Sequence, residues 1–175
     1  MNALAEISRG LPAVAQSDAR VLILGSLPGQ ESLRRREYYA NPRNAFWPIM
    51  GVLFGAAPEL LYQARLDRLK QSRIALWDVC ASACRPGSLD AKISLEVAND
   101  FGQFFRRHQE IELVCFNGAT AARIYRCSVL GNLAPACAQI RREQLPSTAP
   151  SYAAVRFEQK LNRWREVLYS VLRDS

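Results

Sequence analysis

The chain has 175 residues and 49% hydrophobic composition, enough for one domain with a well-packed core. It carries 23 Lys plus Arg against 16 Asp plus Glu, a net charge of +7, and 20 of the basic residues are arginine. No apolar run approaches the roughly 20 residues of a membrane span, and the start, Met1 to Glu6, lacks a basic and apolar leader. The expected location is therefore the cytoplasm. The positive charge suits a polyanionic partner, although arginine-rich usage alone fits an ordinary basic protein equally well.

In chain order, Met1 to Asp18 reads as an irregular lead-in. Arg20 to Leu24 is apolar and β-branched after its first residue and is ended by Gly25, the pattern of a strand buried on both faces. Helical patterns are expected from Ala45 to Leu53 and from Pro58 to Lys70, and Ile74 to Val79 reads as a second strand. Ala81 to Leu95, with Pro86-Gly87-Ser88, is expected to be a long loop.

Asn99 or Asp100 is placed to cap a helix whose Phe101, Phe104 and Phe105 share a face. Ile111 to Phe116 is a third strand, Asn117-Gly118 turns into a helix reaching about Tyr125, and Gln139 to Leu145 is a fourth strand. Val155 to Leu172 is an amphipathic helix with Phe157, Leu161, Trp164 and Leu168 in one stripe. Strands alternating with helices predict an α/β fold with a parallel sheet. In such sheets ligands bind beyond the carboxyl ends of the strands. That rule directs attention to the segments after Leu24, Phe116 and Leu145.

Five cysteines (Cys80, Cys84, Cys115, Cys127 and Cys137) form no Cys-x-x-Cys pair, and His108 is the sole histidine, so zinc-ligand spacing is absent and no metal is expected. His108 reads as a surface residue at the far end of its helix, and Arg34-Arg35-Arg36 as either a phosphate contact or a solvated face. Gly25-Ser26-Leu27-Pro28-Gly29 offers exposed backbone N–H groups at a strand end, yet lacks the spacing of either a lysine-bearing phosphate loop or a dinucleotide loop. It is followed by Tyr38-Tyr39-Ala40-Asn41-Pro42-Arg43-Asn44-Ala45-Phe46-Trp47. Aromatic rings next to amides suit a flipped base, the rings stacking and the amides holding its polar edge.

These two segments, with Leu76-Trp77-Asp78-Val79, Gly87-Ser88-Leu89-Asp90, Asn99-Asp100-Phe101, Phe116-Asn117-Gly118 and Leu145-Pro146-Ser147-Thr148-Ala149-Pro150, resemble in order the uracil-DNA glycosylase superfamily, and within it the hypoxanthine (deoxyinosine) DNA glycosylases. The resemblance implies a single three-layer α/β/α domain around a four-stranded parallel sheet, acting as a monomer on DNA with a deaminated base, without a cofactor and away from membranes. It implies a substrate pocket made of Gly25, Ser26, Leu27, Pro28, Gly29, Tyr39, Phe46 and Asn117. It implies DNA contacts from Leu145, Pro146, Ser147 and Thr148.

Two familiar catalytic side chains are missing. The best-known uracil branch has an acidic residue, and the mismatch branch an asparagine, where this chain has Leu27. The mismatch branch's histidine opening the last loop is matched by Leu145. The hypoxanthine family's catalytic asparagine matches Asn44, which orients water; as a residue, Asn44 also suits a helix N-cap. Asn117 is expected to read the base, or else only to turn the chain. Leu145 either fills the space left by the base or lines the pocket. No lysine lies in the site loops, which disfavours a Schiff-base step. A uracil or mismatch glycosylase, a non-catalytic DNA-damage binding module and, remotely, a serine hydrolase using Ser26 or Ser147 remain as other readings.

Overall fold

The computed structural model describes residues 7–173. Its centre is a four-stranded parallel sheet built from β2 (Val21–Gly25), β3 (Ile74–Asp78), β6 (Leu113–Asn117) and β7 (Arg141–Leu145), in the order β3-β2-β6-β7. β2 is wholly buried along its length, as its unbroken apolar run requires. β7 lies at the edge and is polar except for its buried last residue, Leu145.

The alternation of side chains along the strands divides the core in two. Val21, Ile23, Ile74, Leu76, Leu113 and Cys115 face α2 (Phe46–Phe54), α3 (Tyr62–Gln71) and α7 (Phe157–Leu172). Leu22, Leu24, Ala75, Val114 and Phe116 face α4 (Phe101–Arg107) and α5 (Ala119–Ser128). The result is the expected helix–sheet–helix layering. The stripe of α7 buries Leu161, Trp164 and Leu168. Full burial of each side chain this size contributes roughly 1.5–3 kcal/mol. Phe157, also expected in that stripe, is 39% exposed at the helix start.

Three expectations need correction. Residues 81–95 are not one loop: β4 (Cys80–Cys84) and β5 (Ser94–Ala98) pair antiparallel, and β1 (Ile7–Arg9) adds to β4, making a second, three-stranded sheet. β4 reads Cys-Ala-Ser-Ala-Cys, with small residues in place of a β-branched alternation, and its pairing with β5 shifts register twice. Part of the expected lead-in is thus β1; residues 1–6 lie outside the described residues. The helix expected at Pro58 begins at Tyr62, after a turn in which the Leu60 N–H donates to the Ala57 carbonyl. The short helices α1 (Gln30–Arg35) and α6 (Pro135–Ala138) complete the fold.

Asp100 caps α4 through the Gln103 N–H, and His108 follows that helix with its ring stacked on Phe104. Arg34 and Arg35 both pair with Glu31 on α1. Among the described residues no helix is long and apolar enough to cross a membrane.

Candidate active site

Sheet register aligns the carboxyl ends of the strands. Gly25 sits opposite Asp78, and Asn117 opposite Leu145, so Asp78, Gly25, Asn117 and Leu145 follow one another across one end of the sheet. A cavity of about 130 Å³ opens there. Of the residues expected to form the site, Gly25, Ser26, Leu27, Pro28, Gly29, Tyr39, Asn44, Asn117, Ser147 and Thr148 line it.

The aromatic segment before α2 is held from both ends. The Trp47 indole N–H donates to the Tyr38 carbonyl, and the Tyr38 hydroxyl donates to the Pro12 carbonyl. Between them Tyr39 takes a left-handed backbone (φ 55°), a conformation costing an ordinary residue on the order of 1–3 kcal/mol and concentrated at functional sites. This backbone accompanies a Tyr39 ring laid along the cavity, stacked on Phe46 with centroids 3.9 Å apart and planes 23° from parallel. Phe46 itself is fully buried and does not line the cavity. Expected to touch the base, it instead backs the ring that faces the cavity.

Asn44 enters the cavity just before α2. Its Oδ1 accepts from the Phe46 N–H at 2.9 Å, bonding the start of α2 from one residue before the N-cap position, which falls on Ala45, and its Nδ2 is not used in that bond. Asn117 is clamped by a single residue. Its Oδ1 accepts from the Thr148 N–H (2.9 Å) and its Nδ2 donates to Thr148 Oγ1 (2.8 Å). The backbone donor allows only one orientation of the amide, and its second Nδ2 hydrogen is left on the side of the Tyr39 hydroxyl, whose pKa burial raises and Asn117 lowers. Gly118 follows at φ 99°, where a Cβ would meet the Ser147 side chain at 3.1 Å. The last loop thereby packs tightly over the end of β6. The Thr148 carbonyl accepts from Ala45 N–H, joining that loop to the start of α2.

Leu145 is 1% exposed and packs with Trp164 in the core. It ends β7 and does not line this cavity. Pro146 is likewise outside this cavity; its carbonyl accepts from the Trp164 indole N–H at 3.0 Å, anchoring the loop to α7. Leu145 and Pro146 border a neighbouring cavity of about 500 Å³ with Gly118, Ser147, Tyr152 and Arg163.

Asp78, Arg85 and Asp90 also line the site cavity; Asp78 and Asp90 stand in the motifs quoted above without a role assigned to them, and Arg85 in none. Arg85 donates to the Leu27 carbonyl (3.0 Å), the Pro28 carbonyl and Asp90 (3.1 Å), while Ser26 Oγ donates to the same Asp90 oxygen at 2.8 Å. This buried guanidinium pins the first loop by its backbone. Asp78 is 3% exposed. Burial first, and the Asp90 charge second, push its carboxyl up to about 7, with Arg85 opposing. The Tyr39 hydroxyl is also driven well above the tyrosine range, by burial and then by the Asp78 charge. The available signal for Asp78 was a charged residue closing the apolar run Ile74-Ala75-Leu76-Trp77.

Comparison with known proteins agrees with this fold. The family model of the Uracil DNA glycosylase superfamily matches residues 12–173. A Methanosarcina acetivorans protein named hypoxanthine DNA glycosylase is 44% identical over 116 residues, 66% of this chain and 73% of its own. A Methanosarcina barkeri protein of the same name is 40% identical over 111 residues, 63% of this chain and 70% of its own. A solution NMR structure from Methanosarcina acetivorans, provisionally assigned as a uracil DNA glycosylase, superposes with a TM-score of 0.74 at 34% identity, covering 93% of this chain and 99% of that one. The chain belongs to the uracil DNA glycosylase superfamily.

Proposed function

We propose that this member of the uracil DNA glycosylase superfamily is a monofunctional DNA glycosylase that hydrolyses the bond between hypoxanthine and deoxyribose in base excision repair. The observation carrying this reading is the composition of one cavity: two fixed amides, Asn44 and Asn117, beside the Tyr39 ring, with Leu27 where an acidic side chain would stand. The relatives named hypoxanthine DNA glycosylase support the same substrate.

The base flips out of the duplex and lies along Tyr39. The Nδ2 hydrogen of Asn117 that Thr148 does not hold donates to the base carbonyl. Because Thr148 fixes the amide, Asn117 offers only a donor at that point, and the exocyclic amine of adenine meets an unsuited partner there. Asn44 Nδ2 holds the attacking water. An amide is a poor base, but the transition state of glycosidic cleavage is oxocarbenium-like, so departure of the base runs ahead of attack. The C1′–N9 bond breaks, water adds to C1′, and its proton passes to solvent.

Pro146, Ser147 and Ala149, together with Arg163, border the second cavity and take the flanking strand, while Thr148 is buried against Asn117. Leu145, in contrast, acts only as core. The chain is expected to work as one monomeric domain.

The test uses duplex oligonucleotides holding one hypoxanthine, uracil or xanthine, incubated with protein and treated with alkali to break abasic sites. Breaks at hypoxanthine are expected to exceed those at uracil by at least about tenfold, the effect of roughly 1.4 kcal/mol of selectivity. Breaks from uracil alone would reassign the substrate. Tight binding without breaks would make the protein a damage-binding module.

A further inference from the structure

Asp78 does not take part in the chemistry described so far, yet it occupies the floor of the same cavity. Its Oδ2 is buried and has no hydrogen-bond partner among the described residues. The donors around it bond elsewhere or make no bond: Arg85 Nε, like the carboxyl oxygen, has no partner among those residues. Ser26 and Arg85 donate to Asp90, and Asn99 Nδ2 donates to the backbone carbonyl of Asp78, not to its carboxyl. The first loop has been shaped around this carboxyl: a Cβ on Gly25 would stand 2.5 Å from Asp78 Oδ1 and 3.4 Å from the Tyr39 hydroxyl. Tyr39 Oη, in the same corner, is a second buried polar atom that makes no well-formed hydrogen bond, with Asn117 as its nearby polar neighbour. Folded proteins rarely leave such groups unpaired, and perturbed groups gathered in a cleft mark a candidate functional site.

Resting on the reading above, we infer that Asp78 is the proton donor to the departing purine, placed at the pocket floor by Gly25 and left unpartnered by the protein so that it can face the base. Hypoxanthine leaves C1′ as an anion unless a ring nitrogen is protonated, and N7 and N3 each carry a free lone pair. As the C1′–N9 electron pair withdraws into the ring, the Asp78 O–H proton moves to one of these nitrogens, neutral hypoxanthine departs and a carboxylate remains. Water adds to C1′ and loses a proton to solvent, from which Asp78 is reprotonated. The groups bearing on its charge are Asp90, which favours the protonated form, and Arg85, which opposes it. Tyr38, Tyr39, Tyr62 and Cys80 feel the Asp78 charge and stay neutral. The carboxyl's upward shift leaves a large protonated fraction near neutral pH.

The experiment measures single-turnover base release from about pH 5.5 to about pH 9 for wild type and Asp78→Asn, on hypoxanthine, 7-deazahypoxanthine and 3-deazahypoxanthine duplexes. The wild-type rate on hypoxanthine is expected to fall toward tenfold per pH unit on the alkaline side. Asp78→Asn is expected to be roughly 10²–10⁴-fold slower and to lack that limb. The penalty of the substitution should nearly vanish on the analogue that lacks the accepting nitrogen. An Asp78→Asn rate within about twofold of wild type, an unchanged alkaline limb, or an equal penalty on all three substrates overturns the role of Asp78. If the variant does not fold, wild type alone decides: the alkaline limb must be present on hypoxanthine and absent on one analogue. Hypoxanthine release by wild type upholds the underlying reading whatever Asp78 does, and its absence at every pH sinks that reading instead.

Discussion

Two strand ends in the same sheet treat their polar residue in opposite ways. At the end of β6, Asn117 has both ends of its amide tied to Thr148. At the end of β3, on the far side of β2, Asp78 has a buried oxygen with no partner. Both line one cavity. The difference separates two tasks. A side chain that discriminates one base edge from another must be unable to turn over, which requires partners within the protein. A side chain that exchanges a proton must keep an oxygen available, which requires the protein to withhold partners. The first arrangement adds stability and the second costs it.

The comparison breaks most severely if Asn117 is removed. Asn117→Ala leaves the buried Thr148 N–H without its acceptor, a cost of about 1–3 kcal/mol in stability, and activity should fall on the order of 10²-fold. Denaturant melts and single-turnover rates measure the two losses, and an unimpaired rate would remove Asn117 from base reading. Gly25→Ala strikes the other strand end. Its Cβ would stand 2.5 Å from Asp78 Oδ1, so the carboxyl must move, and activity should drop at least about tenfold, with overpacking costing about 1–3 kcal/mol.

A pH series sharpens the contrast. Folding raises the Asp78 carboxyl from 3.8 to about 7. Between those values the folded state holds a proton that the unfolded state has released, so wild-type stability declines as pH rises through that interval. Asp78→Asn removes the decline. Relative to wild type, the variant should gain stability from about pH 4 to about pH 7 by up to a few kcal/mol. An unchanging gap between the two thermal melts across that interval would show that the carboxyl is not held up.

Thr148→Val is the mildest change. It keeps the backbone donor but deletes the Oγ1 acceptor of Asn117. Stability should fall by about 1 kcal/mol, and the preference for hypoxanthine over adenine should narrow by a few fold, as read from the ratio of release rates.

The same two strand ends show what the sequence discloses. Three of the four parallel strands are legible because a buried strand needs an unbroken apolar run, as Val21-Leu22-Ile23-Leu24 and Leu113-Val114-Cys115-Phe116 supply, and the polar edge strand β7 shows only through partial alternation. The second sheet was not legible. Its strands are short, β4 is built of small residues, and β5 is half exposed, so neither carries a clear period of two. In the site, Asn44, Tyr39 and Asn117 were accessible through motifs next to glycine and proline. Asp78 was hidden inside a strand, its last residue, and only the register that sets it opposite Gly25 reveals that it faces the cavity. Arg85 and Asp90 belong to a segment whose path depends on that second sheet. Phe46 and Leu145 were read as contacts because burial behind another ring, or within a core, leaves no mark in a motif.

The reading as a glycosylase is tested most directly by the product itself. Wild type and Asn44→Ala should each be incubated with a duplex containing one deoxyinosine, and the free base quantified by chromatography and mass spectrometry. Asn44 lines the cavity, and its Oδ1 accepts from the Phe46 N–H at the start of α2. The variant should lose about 1 kcal/mol of stability through that bond yet remain folded. Free hypoxanthine should accumulate with wild type and form roughly 10²–10³-fold more slowly with Asn44→Ala. No free hypoxanthine from wild type, or equal release from a folded Asn44→Ala, would contradict the account.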